Sequence, residues 1–438
     1  MVAGTHSGVG KTTVATGLMA ALRHRGLRVA SAKVGPDFID PGYHALATGR
    51  PGRNLDGWIS GADAVGPLAA RAGADADVLV VEGVMGLFDG AGGTEEASTA
   101  AVALALEAPV VLVVDASAMS GSVAALVHGF HTHHRELRLA GLVLNRVGSE
   151  NHESMLRQAL AGSGVPVLGV LGRDEALRWR DRHLGLVPVV EDPAAVTASL
   201  DRLATAVGAG IDLEAVMALA RSAPARTTAG LPVARFQGPA RVAVAGGPAF
   251  SFSYPDNLEQ LEAAGAELLG FDPTVDPALP EGTQALYAGG GFPEVYAAAL
   301  AANLPLLANV RARVAGGLPT WAECGGLLWL SDSLDGTALC GALPTRGLMT
   351  DRLTLGYRTA EVLVRNPVAG AGAVLRGHEF HYSTLDPPGE ALEITGRTGT
   401  GRAGFASSSL LASYLHLHLG ADPGPAERFL AGAAGKGP

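Results

Sequence analysis

Residues 319–330 read PTWAECGGLLWL. A short apolar approach ends at Glu323-Cys324-Gly325-Gly326 and runs at once into Leu327, Leu328, Trp329 and Leu330. That is the pattern of a strand turning sharply into a helix with Cys324 at the bend. A side chain at such a bend is pushed clear of the sheet, and the start of a helix favours thiolate over thiol, so Cys324 is expected to be a nucleophile. The competing reading is a buried cysteine packed as a small hydrophobe. Paired glycines after Cys324 and a histidine-rich segment near the C-terminus tip the balance towards chemistry. Cys340 has no such setting and reads as packing.

Working outward, the strand expected at Ala285–Ala288 leads into GGGFPE, Gly289 to Glu294. Three glycines leave backbone N–H groups free to point at an oxyanion, although a triple glycine alone also fits a plain turn. Downstream, SYLHLH, Ser413 to His418, offers His416 as the base a cysteine nucleophile needs. In class I glutamine amidotransferases a carboxylate follows that base by two residues. Here the place is taken by His418, which reads as packing, so the third member is missing or replaced. RGHEFHYS, Arg376 to Ser383, is not a zincin motif, since only two residues separate its histidines; it reads as the lining of a polar pocket. SFSYPDN, Ser251 to Asn257, is expected to present Tyr254, Asp256 and Asn257 at an interdomain face, with Tyr254 and Asn257 as substrate contacts. A helix at Asn257–Ala264, between the strand of RVAVAGG and one at Glu267–Phe271, makes this half a second α/β domain.

The first half opens with AGTHSGVGKTT, Ala3 to Thr13, a phosphate loop. Backbone N–H groups of Ser7, Gly8, Val9, Gly10, Lys11 and Thr12 would wrap phosphate oxygens, with Thr13 closing the motif. Lys11 would reach the β and γ phosphates, and the Thr12 hydroxyl would ligate Mg²⁺. Five residues separate Gly4 from Gly10 where the common pattern has four, a variant that resembles the loop of dethiobiotin synthetase and its relatives. A helix at Thr12–Arg25 follows, then a strand at Arg28–Val34 that delivers KVGPDFIDPGYH, Lys33 to His44. Asp37 and Asp40, three apart on a proline-bounded loop beyond a strand end, read as helix caps or as ligands. Beside Lys33, Tyr43 and His44 they favour Mg²⁺ and acyl-substrate ligands. The strand Asp77–Val81 ends in EGVMGLFDG, and Glu82 at its tip is placed like a Walker-B acid. Further strands are expected at Pro109–Asp115, Gly141–Val147 and Val165–Leu171, separated by helices, so the domain is a doubly wound parallel sheet. The run HGFHTHHRE, with His128, His131, His133 and His134, lacks ligand spacing and reads as a solvated helix end. Arg178, Arg180, Arg182 and His183 form a basic patch before a strand at Leu184–Val189.

A chain of 438 residues is too long for one core and suits two α/β domains. The expected division is residues 1–225, a Pro/Ala/Gly-rich linker at 226–240, and residues 241–438. No apolar run reaches the roughly 18 residues of a membrane span. No signal peptide is read, and with only Met1 and Val2 ahead of the loop the native start is expected upstream. Two cysteines are too few for a disulfide framework, so a reducing cytoplasm is the expected setting. A net charge of −10 argues against a nucleic-acid partner.

AGTHSGVGKTT, GPDFIDPGYH, EGVMGLFDG, GGGFPE, ECGGLLWL and SYLHLH together closely resemble the cobyrinate (hydrogenobyrinate) a,c-diamide synthase family, over essentially the whole chain. The resemblance implies a P-loop domain like dethiobiotin synthetase joined to a class I glutamine-amidotransferase-like α/β domain. It implies an ATP- and glutamine-dependent ligase of cobalamin biosynthesis that amidates the c and then the a carboxylate through an acyl phosphate and channelled ammonia. It further implies Cys324 and His416 as the hydrolytic pair, Gly290 and Gly291 as oxyanion donors and Asn145 as an adenine-reading amide. Thr12, Asp37 and Glu82 become Mg²⁺ ligands, and Asp40 and Tyr43 position the substrate carboxylate. The implied partners are cobyrinate or hydrogenobyrinate, L-glutamine and ATP, with no membrane and with a homodimer left open. Cobyric acid synthase or another tetrapyrrole amidase remains open, as does a Min/Par-like ATPase switch with a regulatory second half. Such a switch uses a second loop lysine, absent here at His6, and has no need of a cysteine elbow.

Overall fold

A strand such as VVLVVD, apolar on both faces, is stable only where helices cover both sides of its sheet; its five valine and leucine residues are all buried. The computed structural model, which describes residues 1–174, 181–182, 185–186, 189 and 193–435, builds that arrangement in the first of two units. The units are Met1–Leu231 and Pro232–Pro438. In the first, β1 (Val2–Gly4), β2 (Val29–Val34), β3 (Arg53–Leu55), β4 (Val78–Glu82), β5 (Val110–Asp115), β6 (Leu139–Val147) and β7 (Val167–Gly172) form one sheet. Its order is β3-β2-β4-β1-β5-β6-β7, and every pairing is parallel. The strands expected at Arg28–Val34, Asp77–Val81, Pro109–Asp115, Gly141–Val147 and Val165–Leu171 are present to within two residues; β3 was not foreseen. The short β1 lies between β4 and β5, so the loop after it emerges at the centre of the sheet's carboxyl edge, where open α/β sheets bind ligands.

The helix Lys11–His24 follows that loop. It packs on the helix Pro193–Gly210 through Gly17, where a Cβ would stand 2.6 Å from Val207 Cγ2. Exposed His131 and His133 sit in the last turn of the helix Ser122–His133 and exposed His128 in its middle, and His133 lies 3.4 Å from Glu95. Of the basic run, only the backbone at Arg182 is described, in the hairpin β8 (Asp181–Arg182) and β9 (Gly185–Leu186). Arg178, Arg180, His183 and half of the strand expected at Leu184–Val189 lie outside the described residues. Among the described residues no helix is long and apolar enough to cross a membrane.

In the second unit, β10 (Ala240–Ala245), β11 (Ala266–Phe271), β12 (Ala285–Ala288) and β13 (Thr320–Glu323) follow in order, with helices between β10 and β11 and between β12 and β13. A second layer holds β14 (Ser331–Leu334), β15 (Thr337–Ala338), β16 (Leu343–Val362), β17 (Val374–Asp386), β18 (Leu392–Gly396) and β19 (Gly399–Ala403). The chain then returns through β20 (Phe405–Ser407), β21 (Leu410–Ser413) and β22 (His416–Leu417). One sheet runs β11-β10-β12-β13-β21-β20, parallel except for its last pair; the other is built on the long antiparallel pair β16 and β17 and ends at β22. This second sheet was not anticipated. Residues expected in the linker are divided: Leu231 packs on the first unit's core, and Ala234 is buried in the second's.

Candidate active sites

At the first site, Gly10 caps the phosphate loop with φ 99°, and a Cβ there would stand 2.2 Å from Asn145 Nδ2, so only glycine fits. Ser7 and Gly8 are exposed, Val9 is buried, and Thr12 and Thr13 are half-buried. Asn145, expected to read adenine, instead braces the loop: its amide donates to Val9 O at 2.9 Å and its oxygen accepts the Arg146 N–H at 3.0 Å. Arg146 adds a bond to Gly8 O at 3.0 Å and pairs with Asp115. The cause is register, because β6 runs beside β5 and sets its carboxyl end against the loop.

Beneath the loop lies a buried ionic cluster. Lys33 Nζ is 2.6 Å from Asp40 Oδ2 and 2.7 Å from Glu82 Oε1, and donates to Gly83 O at 3.1 Å. Thr12 Oγ1 donates to Glu82 Oε1 at 2.7 Å and to Asp40 Oδ2 at 3.4 Å, while His44 Nε2 lies 2.6 Å from Glu82 Oε2. Burial would raise the Glu82 carboxyl, but the charge of Lys33 and the hydrogen bond of His44 outweigh it and hold it below the carboxylate range. Asp40 goes the other way, pushed up to about 7 by burial and by Asp37, because one ammonium cannot neutralise both acids. Burial, and then the charge of Lys33, bring Lys11 down to about 8.

Two assignments change here. Asp37, expected to ligate Mg²⁺, accepts the N–H groups of Ile39 at 2.6 Å and Asp40 at 3.1 Å, and so caps the turn into the helix Asp40–Thr48. The carboxylate beside Thr12 and Glu82 is Asp40, expected to hold substrate. Tyr43, expected with it, is buried within the unit. Thr12, Asp40 and Glu82 supply the hard oxygen donors that suit Mg²⁺. Among the described residues no group of three or more His, Cys, Asp or Glu side chains is set to hold a metal.

At the second site the chain turns at Cys324 with φ 47° and ψ −97°, the strained geometry of a nucleophile elbow. The helix Gly325–Leu330 is buried at every position, which is why GGLLWL is apolar all round. Cys324 N–H donates to Ser413 O at 2.8 Å, tying β13 to β21, and Sγ lies 3.9 Å from Phe380 O. Three residues after Ser413, His416 pairs with His378, two residues before Phe380 on β17. Thiol and imidazole therefore lean on the same stretch of one strand. Burial pushes the Cys324 thiol far up, Glu294 adds to the shift, and the Gly325 N–H opposes it. The expected resting thiolate is corrected to a thiol, since a six-residue helix does not offset burial among acids.

The glycine loop is at this site, with one exchange of roles. Gly290 N–H is committed to Phe252 O at 3.0 Å, so Gly290 is not an oxyanion donor. Its service is space: a Cβ there would stand 2.6 Å from His416 Cε1. Gly291 N faces the elbow, 2.9 Å from where a Gly325 Cβ would be. The amide at the sulfur is that of Gly325, which was not foreseen. Also missed was Glu323, signalled by a lone carboxylate in an apolar approach: it is buried, with Oε2 3.4 Å from His416 Nδ1. His378 is buried and stacked on His416 at 5.0 Å; burial, then the charges of His416 and His418, keep it far below its usual range and hence neutral.

Tyr254, Asp256 and Asn257 are all buried, with Tyr254 edge-on to His418 at 4.8 Å and Asp256 Oδ2 3.8 Å from His418 Nε2. Asn257 clamps the histidine segment, donating to Leu417 O and accepting the Leu419 N–H, both at 2.7 Å.

Comparison with known families agrees with this division. Residues 1–187 match the CobQ/CobB/MinD/ParA nucleotide-binding domain, and residues 241–424 match the CobB/CobQ-like glutamine amidotransferase domain. A hydrogenobyrinate a,c-diamide synthase of Streptomyces coelicolor is 49% identical across 98% of this chain and 96% of its own. One from Thermobifida fusca is 47% identical across 99% and 96%. A cobyrinate a,c-diamide synthase of Syntrophotalea carbinolica is 43% identical across 98% and 97%. With a phosphate loop over a buried acidic cluster, a strained cysteine elbow facing backbone donors, and this likeness along nearly its full length, the chain belongs to the cobyrinate/hydrogenobyrinate a,c-diamide synthase family.

Proposed function

We propose that this protein uses ATP and glutamine to amidate the a and c side-chain carboxylates of cobyrinate or hydrogenobyrinate. Cys324 Sγ attacks the glutamine amide carbon as its proton passes to His416, and the oxyanion accepts from Gly291 and Gly325 N–H. On collapse the amide nitrogen takes the imidazolium proton and leaves as ammonia, and water then releases glutamate from the thioester and restores the thiol. In the first unit the γ-phosphoryl of ATP moves to a corrinoid carboxylate oxygen, giving an acyl phosphate and ADP. Ammonia attacks its carbonyl carbon, phosphate leaves, and an amide remains. A free carboxylate lacks such a leaving group, which is why ATP is needed.

Lys11 and the loop N–H groups hold the phosphates. Mg²⁺, bound by Thr12, Asp40 and Glu82, would supply charge neutralisation at the transferring phosphoryl group. Lys33 balances the same carboxylates.

The observation that carries the reading is Cys324 in an elbow at φ 47°, with the Gly325 amide at its sulfur, on the same chain as a complete phosphate loop. A nucleotide switch has no use for that thiol. The test compares Cys324→Ser with the parent protein, supplying ATP, Mg²⁺ and cobyrinate with either glutamine or ammonium chloride. Glutamine-driven amidation should fall by about 10³-fold or more, with ammonia-driven amidation kept within about threefold. A folded variant that ammonia does not rescue would show that Cys324 serves the synthetase half instead.

A further inference from the structure

Two residues beyond the base, where class I glutamine amidotransferases hold a carboxylate, stands His418. It is engaged elsewhere. Its Nε2 is 3.8 Å from Asp256 Oδ2, its ring meets Tyr254 edge-on at 4.8 Å, and Nδ1 accepts the Gly420 N–H at 3.3 Å. The carboxylate beside His416 comes instead from the residue that precedes the nucleophile. Glu323 Oε2 lies 3.4 Å from His416 Nδ1, and Oε1 accepts the Leu417 N–H at 3.2 Å.

Two observations give that contact a direction. The Glu323 side chain is 2% exposed, and among the described residues its ion-pair partner is His416 rather than a Lys or Arg. A buried carboxylate needs a compensating charge, and here that charge arises when His416 takes the thiol proton. The opposite edge of the imidazole faces the glycine loop: a Cβ on Gly290 would stand 2.6 Å from Cε1 and 3.4 Å from Nε2. Nδ1 is therefore turned to Glu323 and Nε2 to the loop that borders Cys324.

We propose that Glu323 is the positioning residue of the hydrolytic site, holding His416 as the tautomer with its hydrogen on Nδ1. The Nε2 lone pair is then left to receive the Sγ proton, and the carboxylate stabilises the imidazolium until that proton passes to the departing ammonia. Nucleophile and orienting acid occupy adjacent positions, 323 and 324, so β13 sets both and position 418 is released to a histidine. The proposal rests on the reading of Cys324 as a glutaminase nucleophile.

Glu323→Gln, Glu323→Asp and His418→Gln, each in the full chain, are compared with the parent protein for glutamine hydrolysis and for ammonia-supported amidation. In Glu323→Gln, kcat for glutamine hydrolysis should fall by on the order of 10²- to 10⁴-fold, with KM within about threefold and ammonia-supported amidation within about twofold. Glu323→Asp should recover about tenfold or more of the lost kcat, and His418→Gln should stay within about tenfold of the parent. An unchanged kcat in Glu323→Gln, an equal loss with glutamine and with ammonia, or a deeper loss in His418→Gln overturns the assignment. Absent ammonia-supported amidation in the parent, with glutamine hydrolysis and its loss in Glu323→Gln intact, rejects the synthetase reading and keeps the role of Glu323.

Discussion

Two buried groups at these sites are pushed towards their neutral forms, against what their motifs suggest. Cys324 stays a thiol because burial and the acids around it outweigh one N–H donor, so its activation waits for the imidazole. Asp40 rises towards 7 although Lys33 touches it, because Lys33 is shared with Glu82. Lys11 turns the same physics into a measurable outcome. Its ammonium is brought down to about 8 by burial and then by the charge of Lys33, and only the protonated form attracts phosphate. ATP affinity, followed by titration of a fluorescent analogue, should therefore be constant near pH 7 and fall as pH rises beyond 8, by up to about tenfold per unit. A flat affinity between pH 7 and 9.5 would show that Lys11 keeps its proton or does not meet the phosphates.

Among the elements, loops set against strand ends decide the geometry. The phosphate loop is held from the far side by β6, whose Asn145 and Arg146 bond to Val9 O and Gly8 O. Asn145→Ala should remove a buried hydrogen bond of about 1 to 1.5 kcal/mol and weaken ATP binding by about five- to tenfold. Isothermal titration checks it; a hundredfold loss would argue that Asn145 touches the nucleotide itself. The glycine loop is pinned in the same way. A Cβ on Gly291 would stand 2.0 Å from Ala249 O, so this loop tolerates no side chain as it passes the elbow.

At the scale of the whole molecule, each unit has its own core. Leu22 is fully buried in the first, while the second centres on residues such as Trp329 and Leu327. Leu22→Ala should cost about 2 to 5 kcal/mol in the unit that carries it. Calorimetry should show the first unit's transition at lower temperature, while glutamine hydrolysis at the second unit persists to the same temperature as before. Much of this organisation is legible in the chain. Uninterrupted valine runs announce a sheet covered on both faces, and AGTHSGVGKTT and ECGGLLWL carry their chemistry in adjacent residues, because a loop that wraps phosphate and an elbow that lifts a thiol are local backbone shapes. What needed the tertiary structure were partners far apart in sequence. Glu323 meets His416 only because β13 and β21 lie side by side, and Asp40 displaces Asp37 beside Thr12 because the helix start turns one carboxylate inward and uses the other as a cap. Asn145 is diverted to the loop by the register of β6. Local shape is encoded by neighbours along the chain; which distant group satisfies a buried donor or charge is settled by packing, and no motif spells it out.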